Sequence, residues 1–139
     1  MNASATVWRV VALTVFISIF SAANAEVVSV PAKLSGKWTT VDGLYGQSIS
    51  ANIDAATARG KLTVWSSDSS CTIRDAPITV TAAEGKIFLK VDSAYSNPCR
   101  ADISVELARK AGSDEYEGEL RQGGPAGAKF PILRVKMSP

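Results

Sequence analysis

From residue 37 onward, apolar and polar residues alternate with a period of two, in short runs bounded by Gly, Pro, Asp, Asn or Ser. No run carries a 3.6-residue apolar period, so the chain reads as all-β. Alternation of this kind sends one row of side chains into a core and the other toward solvent. It is clearest over 47–53, with Ile49, Ala51 and Ile53 on one face and Ser48, Ser50 and Asn52 on the other. A strand is also expected over 37–41, joined to this one by turn chemistry at Asp42, Gly43 and Gly46, with Leu44 and Tyr45 exposed between them. Residues 54–60 read as a single helical turn or a polar loop, and 61–66 as the next strand, with Leu62 and Val64 facing one way and Trp65 the other.

Further along, short strands over 72–74 and 77–81 are expected, broken at Asp75-Ala76-Pro77 and lying at an edge or corner. Ala83-Glu84-Gly85 makes a tight hairpin into 86–91, where Ile87, Leu89 and Val91 alternate with Lys86, Phe88 and Lys90. A loop over 92–99 leads to a strand over 101–109 with Ile103, Val105 and Leu107 inward. The next strand puts Tyr116, Gly118 and Leu120 on the core face, 123–127 form a loop, and 132–137 close the domain. Eight or nine strands with short connections fit a mostly antiparallel meander that closes as a small barrel, with a β-sandwich as the alternative.

The first 25 residues stand outside this pattern. Arg9 is the only charge in them, an apolar run covers 10–20, and Ala23-Asn24-Ala25 is an A-x-A cleavage site, so 1–25 read as a secretory signal peptide. Its apolar core is too short to span a bilayer. Cleavage would remove Trp8 from any site and leave 26–139 as one exported domain, periplasmic or secreted. With no Cys at the cleavage point, a lipid anchor is not expected, so the product should be soluble without membrane insertion. In an oxidising compartment the two cysteines, Cys71 and Cys99, read as a disulfide.

Charge and composition narrow the function by exclusion. Fifteen Lys and Arg against 13 Asp and Glu give +2, falling to +1 once Arg9 leaves, and the interspersed charges form no basic stripe for nucleic acid. The chain contains no histidine, which removes Ser-His-Asp and Cys-His catalysis and every His metal ligand.

The segment Leu34-Ser35-Gly36-Lys37-Trp38 resembles the L-x-G-x-W opening of the calycin superfamily, the small β-barrels that include avidins and lipocalins. Thr39-Thr40 and Gly60-Lys61-Leu62-Thr63 also look avidin-like. The resemblance implies a barrel whose end is closed by Trp38. The biotin pocket is not matched: Thr40 and Leu44 stand near the places of the Asn and Ser that would hold the ureido group, and Trp65 is the only other tryptophan after residue 25. Some bacterial periplasmic protease inhibitors are similar in plan, as small disulfide-bearing barrels with a G-x-W opening.

Four aromatics are the candidate ligand- or partner-binding residues. Trp65 and Phe88 sit opposite the aliphatic rows of their strands and could stack on sugars or anchor a protein, although burial under a loop competes with that role. Tyr45 and Tyr95, both in loops, could border a barrel mouth or plug their own core. The acidic cluster Asp114, Glu115, Glu117 and Glu119 has the carboxylate spacing of an inverting glycosidase, yet adjacent positions on one polar strand face are ordinarily solvated charges. No D-x-D-x-D-G calcium loop or phosphate-binding G-x-x-x-x-G-K motif is present. The expectation is therefore a binding domain without catalysis or cofactor, holding a small ligand, a glycan or an exported protein. The alternative is an inhibitor of a hydrolase presenting residues 26–31 or a loop, and a weaker one is a glycan hydrolase built on Glu117.

Overall fold

The computed structural model describes residues 29–67, 71–95, 102–123 and 132–139. The proposed signal peptide, Cys99 and most of the loop after Gly123 lie outside them. Eight strands run in chain order: β1 (Lys33–Thr39), β2 (Gly46–Asp54), β3 (Arg59–Val64), β4 (Ile73–Ala83), β5 (Lys86–Val91), β6 (Asp102–Arg109), β7 (Tyr116–Gly123) and β8 (Leu133–Ser138). Each pairs antiparallel with the next, and β8 pairs back onto β1, so the sheet is a closed barrel and the sandwich alternative is set aside. Closure leaves no free strand edge.

The inward rows are the apolar rows of the sequence pattern. Leu34, Ile49, Leu62, Ile78, Leu89, Val105, Leu120 and Val135, one from each strand, are all buried in a single core. Among the described residues no polar or charged side chain is buried. An eight-stranded barrel has an interior just wide enough for side chains to fill, and here aliphatic groups fill it.

Boundaries differ from the sequence expectation where pairing overrides local signals. The first strand begins at Lys33, where β2 pairs it, with β8 joining on the other side from Ser35, and it ends at Thr39 because Thr40 N–H turns to donate to the Tyr45 carbonyl at 3.0 Å. Residues 55–58 form a turn, with Ala58 at φ 54°. The two short strands expected around Asp75 are one strand, β4. A β-bulge against β3, with Asp75 at φ 46° and its N–H donating to Thr63 Oγ1 at 3.1 Å, absorbs the break that Asp75-Ala76-Pro77 suggested. Far from being an edge, β4 is paired on both sides. The hairpin at Glu84 and Gly85 is as expected, both residues taking the positive φ that a tight hairpin turn favours.

Candidate functional site

Antiparallel order sorts the connections into two ends. At one end lie the tight turns 55–58 and 84–85 and the loop 110–115. At the other, β1 runs into β2 through 40–45, β3 into β4 through 65–72, and β5 into β6 through 92–101, and here β7 ends and β8 begins. Three of the four candidate aromatics, Tyr45, Trp65 and Tyr95, are at this second end. Phe88 is not: it faces outward from the middle of β5, opposite Thr81 and Glu106, and is 37% exposed. Beside it Lys86 donates to Glu106 at 2.9 Å, and that hydrogen bond, together with the carboxylate's charge, raises the Lys86 pKa.

Trp38 closes the core at the loop-rich end. Its indole Nε1–H donates to the Trp65 carbonyl at 2.7 Å, tying the end of β1 to the end of β3. A cavity of about 50 Å³ lies beside it, bordered by Val64, Ile73, Ile103, Leu120 and Leu133, which is far below the size of a pocket for a drug-sized ligand. Outside this seal, the Arg74 guanidinium sits 4.6 Å from the Trp65 ring centroid, and Tyr95 Oη–H donates to the Arg74 carbonyl at 3.3 Å. Trp65 and Tyr95 are thus joined through Arg74, with Trp65 still 40% exposed and Tyr95 packed partly against the core. Arg74 had no signature in the sequence, since a cation over a ring depends on how β3 and β4 are paired.

The 40–45 loop is the most exposed apolar feature of the described chain, with Leu44 at 83%, Val41 at 62% and Tyr45 at 56%. Its backbone is nonetheless well tied. Gly43 N–H donates to the Thr40 carbonyl at 2.9 Å, Tyr45 N–H to Thr40 Oγ1 at 3.2 Å, Leu44 N–H to Asp42 Oδ1 at 3.2 Å, and the Thr40 hydroxyl to the Asp42 carboxylate. At the opposite end, the 110–115 loop is closed by the same two backbone hydrogen bonds, Lys110 N–H donating to the Glu115 carbonyl at 2.8 Å and Ser113 N–H to the Lys110 carbonyl at 3.2 Å, although its left-handed residue is Gly112, one position earlier in the loop than Gly43. That loop carries Ala111, Gly112, Ser113 and Asp114 where the 40–45 loop carries Val41, Asp42, Gly43 and Leu44. Closing a loop of this length with that pair of hydrogen bonds therefore does not require large apolar residues, and Val41, Leu44 and Tyr45 gain no burial from being there.

Hydrogen bonds from the Thr40 side chain, and then from the Leu44 backbone, hold the Asp42 carboxyl below its ordinary 3.8. A depressed carboxyl stabilises its surroundings above its unfolded value, and that contribution is lost as pH falls through the folded one. Protection of the Leu44 amide against exchange, corrected for the intrinsic pH dependence, is therefore expected to be full at pH 5 and to fall below pH 3.8, with the 110–115 loop as the internal reference.

The acidic cluster is not a facing pair across a cleft. Glu117 lies 3.8 Å from Lys110 Nζ and 3.7 Å from Lys136 Nζ, while Glu119 pairs with Arg121 at 3.0 Å, all on the open outer wall. No group of three or more potential metal ligands of the His, Cys, Asp and Glu kind occurs among the described residues. Among those residues, too, no cysteine is free. Comparison with protein-family models, curated proteins and solved structures finds no match, and the residues of the loop-rich end are what the functional reading rests on.

Proposed function

We propose that this chain is an exported calycin-like binding domain that holds a partner at the loop-rich end of its barrel and carries out no chemistry on it. The observation that carries this reading is the pairing of a filled interior with exposed Val41, Leu44, Tyr45 and Trp65 at one end. Among the described residues a barrel interior packed with aliphatic side chains offers no cup for a ligand, whereas apolar residues on a hydrogen-bonded loop gain contact area with little ordering cost on binding. Loops set on a rigid scaffold are where binding residues concentrate.

The proposal extends to the compartment. Export through the 1–25 leader would place Cys71 and Cys99 in an oxidising environment, and the chain-entropy account gives their bridge roughly 3 to 4 kcal/mol. Intact mass under non-reducing conditions should be two hydrogens lighter than the reduced chain, and reduction should lower the melting temperature.

The test of the binding site is comparative capture from the exporting cell's envelope and medium, followed by titration of the retained component. Leu44→Asp and Tyr45→Ala are expected to weaken binding at least tenfold while leaving the melting temperature nearly unchanged, and Phe88→Ser should leave binding intact. A partner held equally well by all three variants would remove the loop from the site.

Inhibition of a hydrolase is the second reading, favoured by one observation: the 40–45 loop is tied by its own hydrogen bonds and presents an exposed leucine at its tip. In that case a secreted protease or lysozyme is suppressed stoichiometrically by the protein and not by Leu44→Asp.

A further inference from the structure

The closing seam of the barrel carries an unusual arrangement of charge on its outer wall. Lys37 on β1 stands directly opposite Lys136 on β8, and the next outward position pairs Thr39 with Arg134. Like charges directly opposite on neighbouring strands repel. Lys136 is within 3.7 Å of Glu117, but neither Lys37 nor Arg134 makes an ion pair among the described residues. A groove of about 550 Å³ lies over these three cations and runs up to Val41 and Asp42. A second hollow of about 390 Å³ shares Thr40, Val41 and Asp42 with this groove and adds Ile132 and Leu133 to its walls, with Ile132 exposed.

We propose that the groove over the β1–β8 seam binds an amphipathic anion, its acidic head on Lys37, Arg134 and Lys136 and its apolar tail across Val41 onto Ile132. This deepens the binding-domain reading and rests on it, because the 40–45 loop forms the shared rim. Two observations of different kind converge on the ligand. The opposed lysines have one carboxylate between them, Glu117, which Lys110 approaches as well, and Glu119, opposite Arg134, is held by Arg121, so the seam carries excess positive charge; and the apolar side chain beside it is one that the 110–115 loop, closed by the same two backbone hydrogen bonds, does without. A simple anion would leave Val41 and Ile132 in water, and a neutral apolar molecule would leave the cations uncompensated. A molecule bearing both parts meets the two halves of the site.

The probe is dodecyl phosphate below its micelle concentration, titrated into the oxidised protein and followed by backbone amide shifts, with inorganic phosphate and dodecyl maltoside as separate arms. Saturable binding is expected, with shifts at Lys37, Val41, Arg134 and Lys136, and with affinity at least tenfold above either control. The Lys37→Gln, Arg134→Gln double variant and Val41→Ser should each weaken it at least tenfold. All of these positions are exposed, so unchanged circular dichroism and melting temperature will show that the variants fold. Equal affinity for dodecyl maltoside would overturn the cationic half, equal affinity for inorganic phosphate the apolar half, and binding indifferent to the variants the site itself. Self-association that depends on Lys37 and is untouched by the amphiphile would name a second copy as the occupant and sink the proposal. Absence of dodecyl phosphate binding beside a captured partner that depends on Leu44 would overturn this inference alone and leave the binding-domain reading standing.

Discussion

Gly118→Ala is expected to destabilise the barrel by about 3 kcal/mol, at the upper end of the usual cost of overpacking, and Gly36→Ala by a similar amount. Both glycines stand at inward positions of their strands, at close approaches to the neighbouring backbone. A Cβ built on Gly118 would lie 1.7 Å from the Glu106 carbonyl oxygen, and one on Gly36 would lie 1.8 Å from that of Lys136. Neither contact can be relieved by rotating a side chain, because the obstacle is the backbone of the neighbouring strand. β6 must move away from β7 in the first case, and β8 from β1 in the second. Glycines at such corners let a sheet bend tightly enough to close. Gly123→Ala, five residues along the same strand as Gly118, is the control: its added carbon would meet nothing nearer than 3.6 Å. Replacing that glycine should be neutral or slightly stabilising through the unfolded chain. Urea denaturation of the three variants measures the difference. Equal effects at Gly118 and Gly123 would mean that glycine acts through chain entropy and not through space.

Trp38→Ala should cost about 4 kcal/mol, within the range for emptying a buried tryptophan site. The indole is buried at the loop-rich end and also supplies the donor to the Trp65 carbonyl. Trp38→Phe separates the two contributions. It keeps most of the ring volume but leaves that carbonyl unpaired, for an expected loss of about 1.5 kcal/mol. Because the Trp65 ring lies under Arg74 on the other side of this bond, its fluorescence should shift in Trp38→Ala and shift less in Trp38→Phe. Identical denaturation midpoints for the two variants would show that the hydrogen bond, and not the packing of the ring, dominates at this end.

Much of the fold was legible in the chain because alternation is a local signal. Ile49, Ala51 and Ile53, then Ile87, Leu89 and Val91, then Ile103, Val105 and Leu107, all occupy the interior as their spacing required. Legibility failed where non-local pairing decided. The strand expected over 37–41 takes in Ser35 and Gly36 as well, because β2 and β8 hold them on both flanks. Asp75-Ala76-Pro77 resembles a break, yet a bulge carries it within β4.

The candidate site was legible in part and for the same reason. Tyr45, Trp65 and Tyr95 could be singled out as aromatics in loops or off the aliphatic row, but nothing local says that they share an end or that Phe88 does not. Arg74 over Trp65 is a product of the β3–β4 register. The 40–45 loop was recognised by its Asp-Gly chemistry. Its significance came from comparison with the 110–115 loop, whose matching pair of closing backbone hydrogen bonds becomes visible only once both are folded.

By itself, the sequence determined that this protein is all-β, which rows of side chains fill its core, and that no histidine chemistry is available to it, since alternation and composition are properties of the chain alone. Tertiary structure alone decided that the described interior is full, that Trp65 and Tyr95 gather at one end with the Val41-Leu44-Tyr45 loop while Phe88 does not, and that Lys37 faces Lys136. Each of these depends on β8 returning to β1, a pairing between opposite ends of the described chain that no local pattern encodes.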